Sequence, residues 1–138
     1  MFNNYTSGTY NKSSQGTTNL GVAFNNDGEL NVYAGTLSFN QGGTNSLTGT
    51  IFANEGTNVI FNSNYTTSDA ANLSGPGQFS LKSGILTLTG NFSGYNFGID
   101  GGTLAGDQTF TNGLTWTGGN LSSPGVTTNG AQSEFYIS

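Results

Sequence analysis

Residues 114–121 read LTWTGGNL, and the spacing of Leu114, Trp116, Gly119 and Leu121 decides how the whole chain is read. The pattern is apolar, any, apolar, two of any kind, glycine, any, apolar. It returns at Leu30-Val32-Gly35-Leu37, Phe79-Leu81-Gly84-Leu86 and Phe97-Ile99-Gly102-Leu104. A fifth copy, Ile51-Ala53-Gly56, reaches its last apolar residue, Val59, one position late, and the extra residue reads as a β-bulge. The copies begin 21, 28, 18 and 17 residues apart.

Strict alternation over short runs ended by Gly or Asn is a strand signal, and no window carries helical periodicity. Parallel solenoids tolerate unequal repeats, because a coil can extrude a loop without disturbing its neighbours. The expected fold is therefore all-β: a right-handed parallel β-helix of roughly six coils, each of about 17–28 residues. Two inward columns are expected, Leu30, Ile51, Phe79, Phe97 and Leu114 in one, and Val32, Ala53, Leu81, Ile99 and Trp116 in the other. Gly35, Gly56, Gly84, Gly102 and Gly119 would turn the corners, where a Cβ is opposed. The 28-residue step contains SNYTTSDAANLSGPG, read as a polar loop. Residues 1–19 fit the template nowhere and are assigned as an N-terminal cap or assembly segment, with the solenoid over 20–138.

Composition narrows the chemistry. In 138 residues there are 23 Gly, 20 Thr, 19 Asn and 15 Ser, and only 7% are charged. Ten Phe, six Tyr and one Trp need burial, which separates this chain from disordered low-complexity sequences. Two lysines, Lys12 and Lys82, with no arginine or histidine, are too few cations to track phosphates, so no nucleic-acid partner is expected. The same shortage argues against an anionic membrane surface, and no apolar run is long enough to span a bilayer. Without His and Cys a zinc site has no ligands. MFNNYTSGTYNKSSQG carries neither a basic n-region nor an apolar h-region, so no signal peptide is expected there.

ELNVYAGTLSFNQGG, GILTLTGNFSG and LTWTGGNLSSPG resemble the β-strand repeats of very large bacterial surface proteins. These are adhesins and autotransporter passengers of the filamentous-haemagglutinin type, common in cyanobacteria and other environmental bacteria. The likeness spans about residues 20–125. It implies a right-handed β-helix in an extracellular adhesive or fibrous protein without catalytic residues. This chain departs from that family in being much shorter and in showing neither a signal peptide nor a translocator.

Site chemistry is sparse. Glycoside hydrolysis needs two carboxylates across one bond. The acids are Asp27, Glu29, Glu55, Asp69, Asp100, Asp107 and Glu134, and only Asp27 with Glu29 and Asp100 with Asp107 are close in sequence. No catalytic residue, metal ligand or cofactor is assigned. Asp100-Gly101-Gly102 offers at most a calcium-like turn. Columns read from the template, such as Thr36, Thr57, Ile85, Thr103 and Asn120, do not make the threonine ladder of an ice-binding face. Glycosylation sequons begin at Asn4, Asn11, Asn64, Asn72, Asn91 and Asn120, close to the number that chance gives in so Asn-rich a chain.

The expected function is a non-enzymatic structural module of an extracellular fibre, adhesin or surface protein. It assembles end to end with copies of itself, with glycans as a further class of partner. The alternative is a carbohydrate-binding module or phage-fibre segment whose exposed aromatics, among Tyr33, Phe52, Tyr65 and Tyr95, stack on sugars. In the structural reading Trp116 points inward while Thr115 and Thr117 face out.

Overall fold

Alternating residues make strands with one apolar face, and a glycine at each break lets the chain turn so that this face always looks inward. In the computed structural model, which describes residues 1–122, 125–131 and 133–138, the result is a stack of seven parallel coils. The first coil holds β1 (Phe2–Asn4), β2 (Thr9–Lys12) and β3 (Thr17–Leu20). The second holds β4 (Phe24–Asn26), β5 (Glu29–Val32) and β6 (Thr36–Phe39), the third β7 (Gly43–Asn45), β8 (Thr50–Ala53) and β9 (Asn58–Phe61). The fourth contains β10 (Tyr65–Thr67), a 3-10 turn at Ala70–Asn72, β11 (Leu73–Ser74) and β12 (Gln78–Leu81). The fifth follows with β13 (Ile85–Thr87), β14 (Gly90–Phe92) and β15 (Asn96–Ile99), the sixth with β16 (Thr103–Ala105), β17 (Gln108–Phe110) and β18 (Gly113–Trp116). The seventh closes with β19 (Asn120–Leu121), β20 (Thr127–Asn129) and β21 (Glu134–Ile137).

Equivalent strands pair in parallel into three walls. Wall I runs β1-β4-β7-β10-β13-β16-β19 and wall III runs β3-β6-β9-β12-β15-β18-β21, each unbroken. Wall II changes sheet midway, with β2-β5-β8-β11 in the first four coils and β14-β17-β20 in the last three. Along wall I the equivalent residues Phe2, Phe24, Gly43, Tyr65, Leu86, Leu104 and Leu121 stand 17 to 22 positions apart. The stack is roughly 30 Å tall at the usual strand spacing.

The solenoid expected from the repeat is present, but the repeat slips one face. Leu30 and Ile51 lie in wall II, where Ile51 pairs with Leu73, not Phe79. Phe79 lies in wall III, stacked between Val59 and Phe97, with Leu114 beyond. Each expected column is thus two columns on different walls. The 28-residue step is one full coil plus one face, so SNYTTSDAANLSGPG is not an extruded loop: it supplies β10, the 3-10 turn and β11. No bulge precedes Val59 either, since Val59 pairs in register with Leu37 and Phe79. The extra residue, Thr57, sits in the corner, its N–H and Oγ1 both donating to Asn54 O (3.1 and 2.7 Å).

Leu30, Val32, Ile51, Ala53, Phe79, Leu81, Phe97, Ile99 and Leu114 are buried, and Trp116 packs half-buried against them, between Ile99 and Ile137. The five corner glycines named from the sequence all take positive φ, between 68° and 84°. At Gly35 the packing is equally decisive: a Cβ there would lie 2.3 Å from Gln15 O of the coil beneath. Gly43 (φ 139°) makes room inside wall I, where a Cβ would meet Phe24 O at 1.9 Å. Around that space the Phe39 ring lies 5.8, 5.5 and 4.7 Å from those of Phe24, Phe61 and Tyr65.

Residues 1–19, which escape the template, wind the first coil, β1 to β3, in register with the second. They escape because several of their inward positions are polar: Asn4, Lys12 and Thr18 occupy sites held elsewhere by apolar side chains or by further asparagines. Lys12 is buried, its Nζ donating to Ser14 O, Ser14 Oγ (3.0 Å) and Ala34 O (2.9 Å). Asn4 begins an internal ladder at the corner between walls I and II. Its Nδ2 donates to Asn26 Oδ1 (2.8 Å), Asn26 Nδ2 to Asn45 Oδ1 (2.8 Å), and Asn45 Nδ2 to Thr67 Oγ1 (3.5 Å). The same amides donate to the corner carbonyls of Glu29 (2.9 Å), Thr50 (3.0 Å) and Gly49 (2.6 Å). A buried amide is tolerated when its donors and acceptor are met, and stacked copies meet one another's needs.

Candidate functional site

Two kinds of surface compete for function on such a rod, its sides and its ends. The sides are dominated by amides and hydroxyls in register. On wall I Asn25 Nδ2 donates to Asn3 Oδ1 (3.0 Å) and Thr44 Oγ1 to Asn25 Oδ1 (3.2 Å), with Thr66 and Thr87 next in the same outward column. Because the template slips a face, the threonine columns read from the sequence mix walls and are not columns. This wall I column is one that the template could not display.

Four of the seven carboxylates hold turns or neighbouring side chains. Asp69 Oδ1 accepts from Ala71 N (2.9 Å) and caps the 3-10 turn, and Asp107 Oδ1 accepts from Val126 N (2.7 Å). Asp100, weighed for calcium, is bound on one oxygen by Lys82 Nζ (2.8 Å) and on the other by Thr117 Oγ1 (2.9 Å). The Lys82 hydrogen bond is the main reason its carboxyl sits below the ordinary range. Glu134 Oε2 accepts from Tyr136 OH (2.6 Å), which raises the phenol pKa. Among the described residues no three His, Cys, Asp or Glu side chains gather to hold a metal, and no helix is long and apolar enough to cross a membrane.

Of the sequon asparagines, Asn11, Asn64, Asn91 and Asn120 are exposed and Asn72 is half-buried. Asn4 is buried inside the ladder, so folding and glycan attachment there are incompatible. The aromatics proposed as sugar platforms do not form one surface. Tyr33 and Tyr95 are exposed and Phe52 is half-buried, but Tyr65 is buried in wall I, its OH donating to Thr44 O (3.1 Å). Burial pushes its phenol pKa far upward.

The ends are different. At the first coil Met1, Phe2 and Tyr5 are exposed, with Tyr10 and Leu20 only partly covered. At the last, Leu121, Val126, Phe135 and Ile137 are exposed, and Trp116 stacks on Phe135 with ring centroids 6.5 Å apart. Phe2, Tyr10, Leu20, Leu121, Phe135 and Ile137 continue the inward columns. Phe2 and Leu121 end one column of wall I, while Leu20 and Ile137 end one column of wall III. Both ends also present strands paired on one edge only. Sequence reasoning missed most of these residues because Met1, Phe2, Tyr5, Tyr10 and Leu20 precede the first copy of the template and Val126, Phe135 and Ile137 follow its last, although EFYI at 134–137 is an ordinary strand signal.

The chain matches no protein-family model, no curated protein and no solved structure.

Proposed function

We propose that this protein is a non-enzymatic structural module of an extracellular or cell-surface fibre or adhesin, and that it lengthens by stacking end to end on copies of itself. The observation that carries this reading is the match between the two ends. A last coil laid beneath the first coil of another copy brings Leu121 under Phe2 and Ile137 under Leu20, extending walls I and III with apolar residues in line. Free strand edges backed by exposed apolar side chains recruit further strands. Wall II would break at such a junction, as it already breaks inside the molecule between β11 and β14. The strand phrases that resemble bacterial surface repeats support the fibrous, extracellular part of the reading.

The net charge of −5 makes copies repel one another, so assembly should strengthen as salt screens them. Light scattering and negative-stain imaging across protein concentration test the proposal. Rods that lengthen with concentration and salt are expected, and Ile137→Lys should shorten them without changing the circular dichroism. A protein that stays monomeric at high concentration in salt would overturn it.

A further inference from the structure

Glycine inside a strand normally has a reason: a bulge, a sharp bend, or the close approach of something else. Gly113 in β18 has neither of the first two. Its φ is not in the left-handed region, it pairs in register with Glu134, and a Cβ built on it would meet nothing nearer than Tyr95 O at 3.7 Å. The backbone there therefore accepts a Cβ at ordinary contact distances. What glycine does is leave one rung out of an outward column of wall III, between Asn96 of the coil below and Glu134 of the coil above. The missing rung is the floor of a cleft of about 120 Å³.

We propose that this cleft is a binding subsite for a neutral pyranose ring of an oligosaccharide. Gln78, Asn96, Asn112, Thr115, Glu134 and Tyr136 stand around the glycine. Together they offer amide donors, amide and carboxylate acceptors, and a hydroxyl, the mixture that vicinal sugar hydroxyls pair with. Several are already held in place. Gln78 Nε2 donates to Phe79 O (2.9 Å), Asn112 Nδ2 to Gly94 O (3.0 Å), and Tyr136 OH to Glu134 Oε2 (2.6 Å). The amide nitrogens are pinned while Gln78 Oε1 and Asn112 Oδ1 accept no hydrogen bond from the described residues, which lowers the ordering cost of binding. The Tyr136 ring, 57% exposed at the rim, supplies an apolar face for sugar C–H groups. Charge sets the class: no cation lines the cleft, Glu134 does, and the chain is net negative, so uronates, sulfated sugars and phosphates are repelled. This inference does not depend on end-to-end assembly, because the cleft opens on the side of the rod.

The test is titration of the full chain with neutral hexasaccharides of glucan, mannan, xylan and chitin type, followed by amide NMR, with heparin and oligogalacturonate as anionic counter-probes. At least one neutral sugar is expected to move the resonances of Gly113, Thr115 and Tyr136. Gly113→Thr fills the cleft in open space and adds a β-favouring side chain, so it should keep or raise the melting temperature while weakening binding at least about tenfold. Tyr136→Ala should weaken it comparably. No response to any neutral sugar overturns the proposal, as does tighter binding of the anionic probes, or binding indifferent to a folded Gly113→Thr variant. Run on the Ile137→Lys variant, the titration reads sugar binding whether or not the unaltered chain forms rods.

Discussion

Asn26 and its neighbour Asn25 make an internal control for the interior ladder. Asn26 is fully buried, accepts from Asn4 Nδ2, and donates to Asn45 Oδ1 and Thr50 O, at 2.8, 2.8 and 3.0 Å. Asn26→Ala removes all three bonds, at about 1 kcal/mol net each, and leaves Asn45 Oδ1 buried without a donor, a further 1–3 kcal/mol or so. The expected loss is about 4–6 kcal/mol, a large part of the roughly 5–15 kcal/mol that holds a typical domain. Asn25, one residue earlier, faces out, and water can replace its bonds to Asn3 and Thr44, so Asn25→Ala should cost no more than about 0.5 kcal/mol. Urea unfolding followed by circular dichroism measures both. Hydrogen exchange should place the damage in the first three coils, since a solenoid couples mainly to its nearest neighbours. Equal losses for the two variants, or a loss below about 1 kcal/mol for Asn26→Ala, would refute the claim that the ladder holds this corner.

Three more outcomes follow from packing and charge. The Tyr65 phenol, raised by burial above its unfolded value near 10, contributes stability that is present below about pH 10 and lost as pH rises further. Ultraviolet titration should therefore show one tyrosine ionising only on unfolding, and Tyr65→Phe should abolish that step at a cost of about 1 kcal/mol for the lost bond to Thr44 O. Asp100, lowered by Lys82, contributes above its unfolded value near 3.9 and loses the contribution as pH falls through the lower folded value. Because the pair is exposed, thermal melts of Asp100→Asn should show a deficit under about 1 kcal/mol at pH 7 that vanishes in strong acid. Gly43→Ala should cost about 3 kcal/mol or more through its φ of 139° and the clash with Phe24 O, whereas Gly113→Ala should be close to neutral in the same denaturation assay.

The fold class was legible because Leu30, Phe79, Phe97 and Leu114 each begin the same local event, two inward residues followed by a glycine corner. The wall on which that event occurs was not legible, because the corner from wall II to wall III at Gly35 and the corner from wall III to wall I at Gly84 use the same spacing. A one-dimensional template aligns them and skips a face. The first coil was hidden for a different reason: Asn4, Lys12 and Thr18 are inward yet polar, and partners such as Asn26 for Asn4 and Ala34 O for Lys12 come from the next coil. The cleft was hidden because Gly113 looks like any other of the chain's many glycines until its φ and the open space above it are known.

The change of sheet in wall II has a mechanical meaning. Between the fourth and fifth coils only walls I and III carry strand pairing, while the third side is held by separate bonds, Ala70 N to Thr89 O (2.6 Å), Tyr95 N to Gly75 O (3.2 Å) and Ser93 Oγ to Ala71 O (2.6 Å). A column with continuous ladders on two sides and isolated bonds on the third yields on that third side first under load. If copies join as proposed, each junction repeats the same gap, so a long fibre would carry evenly spaced compliant planes, and its stiffness would be set by these seams rather than by the coils between them.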